Sequence, residues 1–234
     1  MSEKSKIEWT DSTWNPVTGC TKISPGCDNC YALRMTNRLH AMGQQKYSKG
    51  FKVTEHGHEL ERPNSWKKPR KVFVNSMSDL FHRDVSDSFI IDVFKRMNIS
   101  SSHQFQVLTK RAKRMASLGA YLPWTYNISA GVSVENSDYI KRIEFLHKTP
   151  ANTKFISIEP MLGPLPDLDL DGIDWVIVGG ESGPGARSIQ AAWVRDIREQ
   201  CLRTKTLFMF KQWGGVNKNK TGRLLDGRTW DDTP

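Results

Sequence analysis

The sequence predicts an α/β fold, a partial or full (β/α) barrel of about six to seven mainly parallel strands. Three observations predict it. Six short segments rich in β-branched or aromatic residues recur along the chain and end in polar or glycine-bearing turns. Most are near-continuous apolar runs rather than alternating ones, as in parallel strands covered on both faces. Helical patterns lie between them, and repeating βα units impose right-handed crossovers. One domain over residues 1–234 is expected, with a polar insertion at about 44–70 and a C-terminal hairpin extension at about 216–234.

In chain order, a weaker strand "STWNPVTG" (12–19) precedes a cysteine-bearing loop, and a helix spans residues 28–43 from Asp28 to Gly43. The insertion follows, carrying His56, His58 and the basic run "KKPRK" (67–71). The strand "KVFVNSMSD" (71–79) leads to a helix capped by Ser86, with Phe89, Ile90, Val93, Phe94 and Met97 on one side. After "FQVLTKR" (105–111) and "NISAGVSVEN" (127–136), Asn136 caps a helix that turns Tyr139, Ile140, Ile143 and Leu146 inward. The strands "KFISIEP" (154–160) and "DWVIVGGESG" (174–183) come next. A helix lined by Trp193, Val194, Ile197 and Cys201 and the strand "TLFMFKQWGG" (206–215) complete the repeat. The segment "GRLLDGRTW" predicts a hairpin turning at Asp226-Gly227.

In such barrels reactive groups sit at the C-terminal strand ends. This chain places Ser76, Ser78 and Asp79, Thr109 and Lys110, Ser133 and Glu135, Glu159, Glu181 and Ser182, and Lys211 and Gln212 there. As a set they point to a site.

The start, "MSEKSKIEWTDSTW", does not resemble a signal peptide, and no apolar run is long enough to cross a bilayer. A soluble, cytoplasmic protein is expected, in which clustered thiols stay reduced and bind metal. The formal net charge of +9 suits an anionic partner, nucleic acid first, and equally a basic enzyme, and charge alone does not choose between them. Trp66 and Trp213 stand apart from the tryptophans assigned to the core; Trp66, beside "KKPRK", reads equally as a ring that stacks on a base while the lysines meet phosphates and as part of a solvated surface loop. His82 and the His56/His58 pair are expected on the surface.

Three of the four cysteines, Cys20, Cys27 and Cys30, are spaced C-x6-C-x2-C on one loop. They suit zinc, with His56 or His58 as a fourth ligand, or three irons of a 4Fe–4S cluster whose fourth iron stays free of protein. The first reading leads to a zinc-stabilised nucleic-acid-binding protein without catalysis, the second to an iron–sulfur protein. Cys201, on the apolar face of a helix, reads as core. "GGESGPGARS" lacks both the third glycine of a dinucleotide loop and the Gly-Lys-Ser/Thr of a P-loop.

The segment "WNPVTGC…GCDNCYA" is similar to the signature of the phage-associated three-cysteine-motif proteins. These in turn resemble radical S-adenosylmethionine (SAM) proteins related to spore photoproduct lyase. "IEPMLGP" (158–164), "VIVGGESGPGAR" (177–187) and "FKQWGG" (210–215) carry the likeness along the chain. The usual radical SAM loop is C-x3-C-x2-C with an aromatic residue before the last cysteine. Here Asn29 holds that position, Tyr31 follows, and Pro25-Gly26 turns the longer gap.

The resemblance implies a radical SAM-like barrel with two cofactors, a 4Fe–4S cluster on Cys20, Cys27 and Cys30, and SAM. The reduced cluster would cleave SAM with an electron from a separate donor, and the substrate class suggested is a nucleic acid or nucleotide. By strand order the resemblance implies Ser76, Ser78 and Asp79 at the methionine end of SAM, and Ser133 and Glu135 at its ribose. Glu159, Gly179 and Gly180 would lie along the cofactor, and Glu181 and Lys211 would face the chemistry.

Overall fold

A computed structural model describes Ser5 and residues 7–234. Along the chain the strands are β1 (Ser12–Trp14), β2 (Val17–Thr18), β3 (Thr54–Glu55), β4 (Lys71–Val74), β5 (Gln104–Thr109) and β6 (Ile128–Ser133). They continue with β7 (Thr153–Ile158), β8 (Trp175–Gly179) and β9 (Leu207–Gln212). The helices are α1 (Tyr31–Ala41), α2 (Asp87–Ile99), α3 (Ala112–Gly119), α4 (Lys141–His147), α5 (Ala191–Thr204) and the single turn α6 (Lys218–Thr221).

Seven strands form one sheet in the order β1-β4-β5-β6-β7-β8-β9, and every neighbouring pair is parallel. The sequential order, with helices between strands, curls the sheet into a half-barrel. The convex face carries Val72, Val74, Phe105, Val107, Ile156, Ile158, Val176 and Val178 into one core shared with the helices. Burying each such side chain stabilises the fold by about 1.5–3 kcal/mol. On the concave face Trp9, from the N-terminal segment, packs with Phe155, Trp175, Ile177 and Met209. Its ring centroid is 4.7 Å from that of Phe73 and 6.2 Å from that of Trp175. Gly131 makes room for this layer, because a Cβ there would stand 2.3 Å from the Phe155 ring. Strands covered on both faces thus explain the continuous apolar runs.

α2 follows its sequence signals residue for residue. Ser86 Oγ accepts from the Phe89 amide, and Phe89, Ile90, Val93, Phe94 and Met97 are all buried. The helix expected from Asp28 starts at Tyr31, because Pro25–Cys27 forms a separate 3-10 turn. Asn136 caps a 3-10 turn, Ser137–Tyr139, that precedes α4. α3 had no sequence expectation; it lacks a side-chain N-cap bond and buries only Ala112, Met115 and Gly119.

Four expectations are corrected. Residues 12–19 are not one strand. Asn15-Pro16 separates β1, in the main sheet, from β2, which pairs antiparallel with β3 of the insertion. The C-terminal turn forms with both Asp226 and Gly227 at positive φ, as a type I′ turn requires. Only one bridge, Leu225 to Arg228, closes it, and the tail instead bridges Asp231 to Met209 on β9. An edge strand's unpaired backbone groups draw the tail there. His56 and His82 are buried, not exposed, each held by a threonine: His56 Nε2 lies 2.8 Å from Thr18 Oγ1, and His82 Nε2 2.8 Å from Thr21 Oγ1. Trp66, expected outside the core, is half-buried and packs against it, edge-on to His103 and under the Arg70 guanidinium.

No helix among the described residues is long and apolar enough to cross a membrane.

Candidate functional site

At the C-terminal ends of the strands a cavity of about 330 Å³ opens on the concave face. Cys20, Cys27 and Cys30 all line it, each free and half-buried. Strand-end residues line the rest: Ser76, Ser78 and Asp79 after β4, Ser133 on β6, Glu159 after β7, Gly180 and Glu181 after β8, and Lys211 on β9. Glu135 and Gly179 are not among its lining residues. The period-2 alternation that turns Phe155 inward also turns Ser157 and Glu159 inward, and Lys211 reaches across from β9, with β8 between them. Lys211 Nζ lies 2.9 Å from Glu159 Oε1, and Ser157 Oγ donates to Glu159 Oε2 at 3.2 Å. Gly179 is small for this carboxylate, since a Cβ there would be 2.8 Å from Glu159 Oε1.

Three clasps hold the cysteine loop over the cavity. The first is Glu135, fully buried behind it. Ser24 Oγ donates to Glu135 Oε1 at 2.6 Å, Lys110 Nζ lies 3.1 Å from the same oxygen, and Arg142 Nη1 donates to Oε2 at 2.8 Å. Gly26 presses on the same carboxylate, where a Cβ would fall 2.5 Å from Oε1. Both oxygens are thus engaged by protein groups.

The second clasp is Glu181. Arg187 grips it with a fork, Nε to Oε2 at 2.9 Å and Nη2 to Oε1 at 2.5 Å, and the Arg187 amide and Asn29 Nδ2 each donate to Oε2 at 2.9 Å. Arg187 Nη2 also donates to the Pro25 carbonyl at 2.8 Å. Arg34 Nη2 ties the Ser182 carbonyl to α1 at 2.9 Å. The segment "GESGPGAR" is therefore a buckle for the loop, and Asn29 is spent on that buckle.

The third clasp is Asp79. It accepts from Thr109 Oγ1 at 2.6 Å, from the Phe81 and Lys110 amides at 3.0 and 3.1 Å, and from Arg111 Nη1 at 3.0 Å. Arg111 Nη1 in turn donates to Cys20 Sγ at 3.4 Å, and Nη2 to the Thr21 carbonyl at 3.0 Å. Ser76 and Ser78 also face chain partners, donating to Asn15 Oδ1 and to the Val17 carbonyl.

Electrostatics follow these contacts. Burial, with a smaller contribution from Asp79, pushes the Cys20 thiol up to about 11 against the pull of Arg111, so binding a metal there displaces a proton. Burial alone would raise Glu181, but the Arg187 hydrogen bonds outweigh it and hold the carboxyl at about 2. Burial also acts to raise Glu135, and Lys110 and Arg142 together hold it lowered.

A carboxylate depressed in the fold stabilises it above its unfolded pKa, about 4.3, and loses that contribution as pH falls through the folded value. The Glu181 buckle is therefore expected to hold at about pH 5 and to open as pH approaches 2. Hydrogen exchange of the Arg187 amide, corrected for its intrinsic rate, checks this. Loss of protection already at about pH 5, or a Glu181→Gln chain with the same acid transition, contradicts it.

Three polar atoms of lining residues are buried without a partner: Asn75 Nδ2, Trp9 Nε1 and Gln212 Oε1. Such orphans mark a place built for a polar guest or ordered water. Among the described residues no group of three or more His, Cys, Asp or Glu side chains stands ready to hold a metal ion. The donor chemistry still fits a cluster with one open position: three thiols face one cavity, a guanidinium stands beside Cys20, and no other cysteine or histidine lines it. Cys201 is fully buried elsewhere, its thiol pushed up to about 12 by burial.

Sequence reasoning missed Arg111, Arg187, Asn29 and Ser24 as site-building residues. The available signal was an arginine directly after a strand-end motif, "TKR" and "GPGAR". A family model described as a protein of unknown function (DUF5131) matches residues 4–234. No curated protein and no solved structure matches the chain.

Proposed function

Because the chain belongs to that family, whose description assigns no activity, we propose its function from the site itself. The protein is an iron–sulfur enzyme of radical SAM type, binding a 4Fe–4S cluster through Cys20, Cys27 and Cys30. Its substrate class is a nucleic acid or nucleotide, and a separate electron donor serves it. The observation that supports the reading is that three cysteines of one loop all line the C-terminal cavity of a parallel half-barrel. When bound there, a cluster with one open iron supplies an electron to the sulfonium of SAM.

The chain's own residues supply the rest. Arg111 orients Cys20 and offsets negative charge on its sulfur, and Asp79 holds Arg111. α1 starts directly after Cys30, bringing the positive end of its dipole toward the thiols. Ser133 and the Glu159–Lys211 pair line the cavity for a polar ligand. Glu135, Glu181 and Asp79 act on the loop, because their oxygens are committed to Ser24, Arg187 and Arg111. The zinc reading drew its fourth ligand from His56 or His58, and neither lines the cavity.

The test is anaerobic purification, reconstitution with iron and sulfide, and visible absorption and electron paramagnetic resonance with and without SAM. A bound cluster whose reduced spectrum changes on adding SAM is expected, with iron lost on Cys27→Ser and kept on Cys201→Ser. One zinc per chain and no cluster replaces the proposal with the zinc reading. A cluster indifferent to SAM removes the enzyme from it.

A further inference from the structure

The positive charge of the chain is not spread evenly. The cysteine loop, α1 and the first part of the insertion, residues 20–54, hold six lysines and arginines against one carboxylate, Asp28. That segment supplies +5 of the net +9. Just beyond it, Glu55 accepts from Ser86, and Glu59 holds Lys46. Among the described residues no carboxylate pairs with Arg38, Lys49 or Lys52, and all three are exposed.

Packing gathers these cations beside the cavity. Tyr47 and Phe51 of the insertion share an apolar cluster with Met35 and Leu39 of α1. His40 Nδ1 lies 2.9 Å from the Tyr47 carbonyl oxygen. The Cys20 amide donates to the Phe51 carbonyl at 3.3 Å, so Lys52 adjoins the start of the cysteine loop. Tyr31, the first residue of α1, lines the cavity and is still 58% exposed. Arg38 follows it two turns later on the same helix face, about 10 Å along the axis.

This arrangement narrows the partner. A ring left open at a cavity mouth buries its apolar surface only when something lands on it. Unpaired cations beside such a ring suit a single nucleic-acid strand, with phosphates on the cations and a base on the ring. A duplex keeps its base faces stacked, and an acidic protein would use the cations but not the ring. We propose, on the nucleic-acid part of the proposed function and independently of the cluster, that α1 and the insertion bind a single-stranded nucleic acid. A base stacks on Tyr31 at the mouth, and Arg38, Lys49 and Lys52 meet the phosphates.

Fluorescence anisotropy of a short labelled oligothymidylate with the reconstituted chain tests this. Saturable, salt-dependent binding is expected. Tyr31→Ala should weaken it about tenfold, within the range for stacking a base on an aromatic side chain. Lys49→Ala and Lys52→Ala should each lower the slope of log affinity against log salt by roughly 0.7, one phosphate contact on a single strand. Arg203→Ala, on the last turn of α5 at the opposite end of the half-barrel, should change neither quantity. Binding left unchanged by Tyr31→Ala, Lys49→Ala and Lys52→Ala overturns this surface and leaves the proposed substrate class standing. Absence of saturable binding overturns both. An equal loss on Arg203→Ala reduces the effect to bulk charge and overturns the surface. So does a Lys49→Ala chain that binds the oligonucleotide normally but whose cluster is reduced more slowly by an acidic flavoprotein, which assigns the cations to the electron donor.

Discussion

Replacing Glu135 with alanine is expected to destabilise the fold by about 3–5 kcal/mol, the cost of breaking a buried charge cluster by removing one partner. Glu135 is fully buried, and Lys110 and Arg142, its partners, are themselves mostly buried. Alanine leaves two cations facing each other across the space the carboxylate filled, and frees Ser24 Oγ. For a chain of this size the loss corresponds to a fall in Tm of roughly 6–20 °C. The loop should loosen as well, so alkylation of Cys27 in the metal-free protein should quicken. Glu135→Gln keeps acceptor capacity but loses the charge, and should fall between. An alanine variant melting with the wild type would mean the clasp contributes nothing.

Gly180→Ala is expected to cost about 3 kcal/mol, at the upper end of overpacking effects, because the obstacle is backbone. A Cβ at Gly180 would stand 2.0 Å from the Trp213 carbonyl oxygen and 2.6 Å from its carbon. No rotamer change relieves that. The exits of β8 and β9 would have to part, straining the Gly180 amide bond to the Gln212 carbonyl at 2.9 Å. Glu181 is the next residue, so the Arg187 buckle moves too, and iron uptake should fall with stability. Gly57→Ala is the control, since nothing lies within 4 Å of its added Cβ, and it should change stability by less than about 0.5 kcal/mol. Equal melting of the two variants would refute the close-approach argument.

The two substitutions sit on opposite sides of what sequence reasoning could reach. Gly180 was expected near the cofactor from its place after a strand, and it does line the cavity. Glu135 was expected to face a ligand from the same rule. Ser133 on β6 lines the cavity, but Glu135, two residues on and past the strand end, turns behind the cysteine loop. Strand alternation governs side-chain direction only while the strand lasts. The surface placement of His82 failed for a related reason. A polar residue is buried when a partner comes with it, and Thr21 comes from 61 positions away.

From the amino-acid order alone came the parallel strands, the helix capped at Ser86, the polar strand ends and the three grouped thiols. Each of these depends on residue type and on neighbours within about one turn or one pleat, where backbone geometry dictates the outcome. Which strand-end groups face the cavity and which grip the loop was decided by the tertiary structure. The Ser24–Glu135 and Asn29–Glu181 bonds join residues 111 and 152 positions apart. Contacts at such separation exist only once the half-barrel has brought the loops together, and burial then makes each carboxylate take whichever cation arrives.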